Sequence, residues 1–161
     1  MSGPEARRLQ GVSDNREAAA AVAGEARRAL AIFSHELEPQ VYDTLEFLEA
    51  AKALALSASR ARIRILLVDS TRAVREGHRL VELARRLSSF FEIRKPHPDD
   101  AGIPETFIIA DEKALLHRPL ATRWEGQASL HDPLRAREKL KLFEEIWQRS
   151  EPDPEMRQLR I

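Results

Sequence analysis

The chain contains no cysteine, which excludes disulfides, thiolate metal sites and a cysteine nucleophile. Its six glycines are scattered singly, so no glycine-rich loop is present to cradle a phosphate. Neither Ser34 nor Ser70 lies in a Gly-x-Ser-x-Gly turn. Charge of one sign is also missing: 26 Lys and Arg balance 26 Asp and Glu. That argues against a sequence-independent binder of DNA or of membranes, which carries excess positive charge. No run of about 18 apolar residues occurs, and the N-terminus lacks the apolar stretch of a signal peptide. A soluble, cytoplasmic protein with no cofactor is expected.

What is present is a chain of 161 residues, 43% of them hydrophobic, enough for one domain with a substantial core. Residues 1–13 lack periodicity and read as a flexible leader, 14–149 as the domain, and 150–161 as a Pro- and charge-rich C-terminal tail. Asp14 or Asn15 is placed to cap an Ala-rich helix through Arg28. Leu30 to Phe33 reads as a strand, and Asp43 or Thr44 as the start of a second helix. Ile65 to Val68 reads as a strand buried on both faces. Arg72 to Leu87 reads as one amphipathic helix with Gly77 inward and Arg72, Arg75, Arg79 and Arg86 outward. Phe90 to Arg94 and Phe107 to Ala110 read as strands, Leu115 and Leu116 as the return of a hairpin, and Arg123 to Leu130 as an edge strand. Asp132 and Pro133 open a last helix as N-cap and first helical residue, with Ala136, Leu140, Phe143 and Trp147 on its apolar face. This order implies a mixed, largely parallel sheet flanked by helices on both faces.

Charge is unevenly placed. Leu30 to Ala51 holds five acids and no Lys or Arg, whereas Arg60 to Lys95 holds ten basic residues against four acids. Such an asymmetry suits internal pairing, or a basic face for an anionic partner.

The stretch Pro104-Glu-Thr-Phe-Ile-Ile-Ala-Asp111 resembles, in its spacing, the H-x-K-x-x-x-x-D signature of the phospholipase D superfamily. Asp111 takes the Asp position, Pro104 the His position and Thr106 the Lys position. Trp124 to Pro133 and the helix through Phe143 and Trp147 resemble that superfamily's closing segment, so the likeness runs from about Ala29 to Trp147. The chain is also similar to short bacterial proteins that keep this frame as a single domain. The resemblance implies a phospholipase D-like half that pairs with itself as a homodimer. In active relatives one His attacks phosphorus, a second protonates the leaving group, and Lys holds phosphate oxygens. Pro104 and Thr106 supply neither nucleophile nor charge. The expectation is therefore a pseudoenzyme without catalytic residues, binding a small anionic ligand or a protein partner. Its remnant pocket is expected to gather Arg118, Asp111, Glu125, Asp69 and Ser34. Arg118 is the oxyanion candidate, because a guanidinium binds oxyanions bidentately. Its alternative role is a salt bridge to Glu125 or Asp111.

Two other readings stand beside this one. A phosphodiesterase or nuclease would use His35, His97 or His117, brought to one rim near Arg118. A nucleic-acid regulator would use the Arg72, Arg75, Arg79, Arg86 stripe, which zero net charge disfavours. His78 reads as a surface residue. His97 with Asp99 or Asp100 is the nearest approach to a metal site, but turn geometry explains that Pro-rich stretch, and no metal is expected.

Overall fold

The computed structural model describes residues 6–57 and 59–158. Continuous apolar runs form its central strands, because successive strand residues point to opposite faces and both faces here are covered. Strand β2 (Ala29–Ser34) pairs in parallel with β3 (Arg62–Leu67), and β3 in parallel with β4 (Phe91–Lys95). On its other side β2 pairs antiparallel with β5 (Thr106–Ala110), which turns into β6 (Ala114–Arg118). Next come β7 (Gly126–Ser129) and, outermost, β1 (Arg7–Leu9). The opposite edge is finished by the two-residue β8 (Glu151–Pro152), giving the order β1-β7-β6-β5-β2-β3-β4-β8.

The mixed sheet agrees with the sequence reading, but parallel pairing is confined to β2, β3 and β4. The strand–helix–strand alternation ends at β4. Strand β5 then returns to the far side of β2 and not beyond β4, so the added strands run antiparallel.

One face of the sheet, with Ile32, Ile65, Ile108 and Leu116, packs under α1 (Val12–Gly24), α3 (Leu45–Ser57) and α5 (Arg79–Arg86). The other, with Phe33, Leu66, Phe107 and Leu115, packs under α6 (Pro133–Arg149) through Ala136, Phe143 and Ile146. Phe33 and Phe107 stack with centroids 5.5 Å apart. Each fully buried Phe contributes roughly 1.5–3 kcal/mol over an exposed one. Thr44 caps α3, its hydroxyl accepting from Phe47 N–H at 3.2 Å. Asp132 caps α6, accepting from Arg135 N–H at 3.3 Å. No helix among the described residues is long and apolar enough to cross a membrane.

Several elements differ from expectation. Residues 7–13, read as leader, form β1 and the start of α1, with β1 hydrogen-bonded to β7; residues 1–5 lie outside the described residues. β7 is consequently interior and β1 is the edge. Asp14 and Asn15 lie within α1, which ends at Gly24 because Arg27, Arg28 and Ala29 give their N–H groups to Asp111. The tail is docked through 158: β8 pairs with β4, buried Asp153 accepts from Ser70 Oγ at 3.1 Å, and α7 (Pro154–Gln158) follows.

The expected helix over 72–87 is two. α4 (Thr71–Arg75) stops at Gly77, whose φ of +66° suits glycine, and α5 restarts after His78. His78 is buried, not on the surface: Nδ1 accepts from Leu80 N–H at 3.1 Å, and Nε2 lies 3.1 Å from Leu37 O, to which it donates. The bond accepted at Nδ1 requires the neutral ring, with its proton on Nε2.

Burial, ahead of any neighbouring charge, holds the His78 pKa below that of a free imidazole. In the unfolded chain a histidine titrates near 6.5. The unfolded state therefore takes up the proton first as pH falls, and stability is lost from about pH 6.5 down toward the folded value. Urea midpoints should drop between about pH 7 and pH 5.5. The drop should be smaller in His78→Asn, which keeps a cap without a titrating ring. An equal drop in both proteins would remove His78 from the account.

Candidate functional site

The carboxyl ends of β2, β3 and β6 and the amino end of β5 meet at one rim, where α/β sheets usually bind ligands. Strand parity divides this rim between the two faces.

On the α1 and α3 face lie Ser34, Thr106 and Arg118. Thr106 donates its hydroxyl to Phe33 O at 2.6 Å. Ser34 Oγ accepts from Leu37 N–H at 2.9 Å. Tyr42, on the short helix α2 (Pro39–Tyr42), is fully buried beside both hydroxyls. Burial first, and then the negative charge of Glu38, push its phenol pKa up, so it stays protonated. Arg118 is 2% exposed. Its Nη2 donates to Glu38 Oε2 at 2.5 Å and to Ala121 O at 2.6 Å, and its Nε donates to Arg123 O at 2.8 Å. Its guanidinium carbon lies 4.6 Å from the Trp124 ring centroid, a cation–π distance. A Cβ at Gly126 would collide with the His117 carbonyl and the Arg118 side chain, so β7 passes directly against this arginine.

The structure does not gather the five expected pocket residues. Ser34 and Arg118 share the rim. Asp69 is also at the rim but exposed, and its Oδ1 accepts from Thr71 N–H at 3.0 Å. That bond is the first cause of its lowered pKa. Glu125 is exposed ahead of β7, and the ion pair of Arg118 is with Glu38 and not with Glu125 or Asp111. Asp111 lies at the opposite end of β5, about 17 Å along the strand from Thr106 at roughly 3.3 Å per residue. With φ +56°, it accepts from the N–H groups of Arg27, Arg28 and Ala29 at 2.6, 2.9 and 2.8 Å. Sequence reasoning missed Glu38 and Tyr42. The signal available was Glu38-Pro39 in the polar loop after β2, within the acidic segment.

On the α6 face of the same rim lies a second polar cluster. Glu105 Oε1 is 3.0 Å from His117 Nε2 and 2.7 Å from Lys139 Nζ, and Glu105 O is 3.2 Å from His35 Nε2. Both oxygens only accept, which places a proton on Nε2 of each ring. Burial, then Lys139, holds the His117 pKa below its ordinary value. Two of the candidate imidazoles are thus brought together, but Arg118 points to the other face. His97 is exposed and caps its own turn, accepting from Asp99 N–H at 3.1 Å. The arginine stripe is divided by the break at Gly77. Arg72 pairs with Glu36 at 2.8 Å and Arg79 with Asp43 at 2.6 Å. Among the described residues no group of three or more His, Asp or Glu could hold a metal ion.

Residues 11–159 match a family described as a domain of unknown function, DUF7931. The chain belongs to that family. No curated protein matches the DUF7931 chain. Among solved structures it is similar to Nuc of Salmonella typhimurium, a phospholipase D family member. Their identity is 10% and the TM-score 0.66, over 93% of this chain and 98% of that one. NucT from Helicobacter pylori gives 10% identity and a TM-score of 0.59, over 92% and 100%. TrmBL2, an archaeal chromatin protein described as showing a novel mode of DNA binding, gives 14% and 0.64 over 92% of this chain. The DUF7931 chain spans 54% of TrmBL2, about half its length. At these identities the likeness establishes the fold, which is phospholipase D-like.

Asp111 should act as a structural cap. Asp111→Ala should cost about 0.5–2 kcal/mol in urea unfolding, the usual range for losing a side chain that caps backbone N–H groups. Unchanged stability would show the start of β2 to be held without it.

Proposed function

We propose that this DUF7931 domain is a non-catalytic phospholipase D-like module that acts by binding, and that its partner is a protein before it is a small anion. The observation that carries this reading is the enclosure of Arg118. The guanidinium is taken by Glu38 and two carbonyls, while the Thr106 hydroxyl is taken by Phe33 O. No charged group is then presented where the superfamily resemblance puts phosphate. An anion entering there would have to displace Glu38 and leave that carboxylate buried and unpaired, a penalty of several kcal/mol. Likeness to TrmBL2, a chromatin protein described as binding DNA, supports the idea that the fold can serve binding.

A second reading has one observation in its favour. His35 and His117 are held together by Glu105, with the Lys139 ammonium beside them, and such a set could act on a phosphodiester. One experiment separates the two. Wild type and His117→Ala are assayed with bis(p-nitrophenyl) phosphate and single-stranded DNA across neutral pH. The same proteins are melted with inorganic phosphate and nucleotides. We expect no turnover above buffer and no shift; a ligand at about a hundred times its dissociation constant would add roughly 2.7 kcal/mol. Turnover abolished by His117→Ala would replace the binding reading with the hydrolytic one.

A further inference from the structure

The two edges of the sheet are finished differently. β1 runs along β7 over three paired positions. β8 pairs with β4 only at Arg94 and Lys95, so Phe91, Glu92 and Ile93 lie on an edge with no strand beside them among the described residues. In a parallel pair alternate residues turn their backbone groups toward the neighbour. Ile63 N–H bonds to Phe90 O, which sets Phe90, Glu92 and Arg94 toward β3 and turns Phe91 and Ile93 outward. Phe91 N–H is already given to Leu87 O at 3.3 Å, so the Phe91 carbonyl and the Ile93 N–H are the groups that face the edge.

A groove of about 1160 Å³ runs along this open edge. Its walls are α5 and the turn into β4 on one side and α7 on the other, with Val81, Phe90, Ile93 and Met156 as apolar lining. That volume exceeds the usual small-molecule pocket and suits a length of chain. Its charge is asymmetric in availability. Of the acids lining it, Glu82 pairs with Arg85 and Glu92 with Arg94, while Asp153 accepts from Ser70 Oγ and Glu155 N–H through Oδ1 and keeps a buried Oδ2 without a hydrogen-bond partner among the described residues. Arg60 and Arg86 also line it, exposed and without an ion pair among the described residues.

We propose that this groove receives an extended, acidic peptide segment of a partner protein, added to the sheet as a strand along β4. The inference rests on the reading of the domain as a binding module and names the chemistry of its partner. Outward backbone groups are best satisfied by another backbone, which favours a peptide over a nucleic acid. Apolar side chains on one face of the added strand would meet Phe90, Ile93 and Met156. Carboxylates would meet Arg60 and Arg86, which steer association and select against basic segments.

The test uses the full chain and a fluorescein-labelled peptide of alternating Glu and Val, of ordinary strand length, with a Lys and Val peptide as control. Fluorescence anisotropy should show saturable binding of the acidic peptide, weakened by salt, and none of the control. Arg60→Glu with Arg86→Glu, both exposed, should weaken it at least about tenfold while leaving the melting temperature near wild type. Amide exchange at Ile93 should slow when the peptide is bound, a readout that surface charge attraction alone would not move. An acidic peptide that fails to bind folded protein overturns the proposal, as does unchanged affinity in the double variant. Preferential binding of an oligonucleotide, or self-association through this edge, would also overturn it by assigning the groove another occupant. Failure of the peptide leaves the module reading intact, whereas phosphodiester turnover would remove that reading without altering the titration.

Discussion

A guanidinium taken out of water has to be compensated where it lies, and the arrangement around Arg118 follows from that requirement. Its compensation comes from Glu38, just ahead of α2, and from the carbonyls of Ala121 and Arg123 in the loop between β6 and β7. Both segments must therefore close over the rim before the charge is satisfied. The closure extends outward. Trp124 covers the guanidinium, and its carbonyl accepts from the side chain of buried Asn15 at 2.8 Å, joining the loop to α1. This part of the rim is thus filled by the protein's own side chains.

The α6 face shows the same logic with a different residue. Arg64 projects from β3 into the apolar layer under α6, its guanidinium carbon 4.9 Å from the Phe143 centroid and 5.3 Å from that of Trp147. Both its Nη atoms meet the Glu144 carboxylate, at 2.8 and 2.7 Å. This contact is the first cause of the lowered Glu144 pKa. Arg94 flanks the same indole at 5.3 Å. Within the basic middle of the sequence, Arg64, Arg72, Arg79, Arg85 and Arg94 are accordingly spent on three kinds of contact: aromatic faces, local acids and the early acidic segment. The pairs Arg72–Glu36, Arg79–Asp43 and Arg118–Glu38 join that segment to later parts of the chain.

How far the sequence could be read follows from which interactions are local. Runs such as Ile65 to Val68 and Phe107 to Ala110, and the caps at Thr44 and Asp132, are decided within a few residues, and the structure keeps them. The break at Gly77 was missed because the apolar spacing of a helix continues across it, while the buried cap at His78 depends on Leu37, which no local pattern names. β1 was missed because three residues owe their strand form to β7. At the site, Arg118 was legible as a singular residue at the end of its strand. Its partner lies 80 residues away, and only the closed rim makes them neighbours. Asp111 stood out through the spacing of the resemblance, yet its hydrogen bonds go to a distant stretch of backbone. Glu105 and Lys139 escaped notice because the pairing of β5 with β6, and the face that α6 covers, have to be known first.

The central claim is that Arg118 and Glu38 are committed to each other. A double-mutant cycle on unfolding free energy tests it most directly, with Arg118→Ala, Glu38→Ala and the combined variant. Each single substitution strands a buried charge and should cost about 3–5 kcal/mol. The combined loss should be smaller than the sum of the two, by an interaction energy of at least about 1.5 kcal/mol. Near-neutral single variants with additive effects, together with a phosphate-induced melting shift in wild type that Arg118→Ala abolishes, would contradict the account and return Arg118 to the role of a ligand-binding residue.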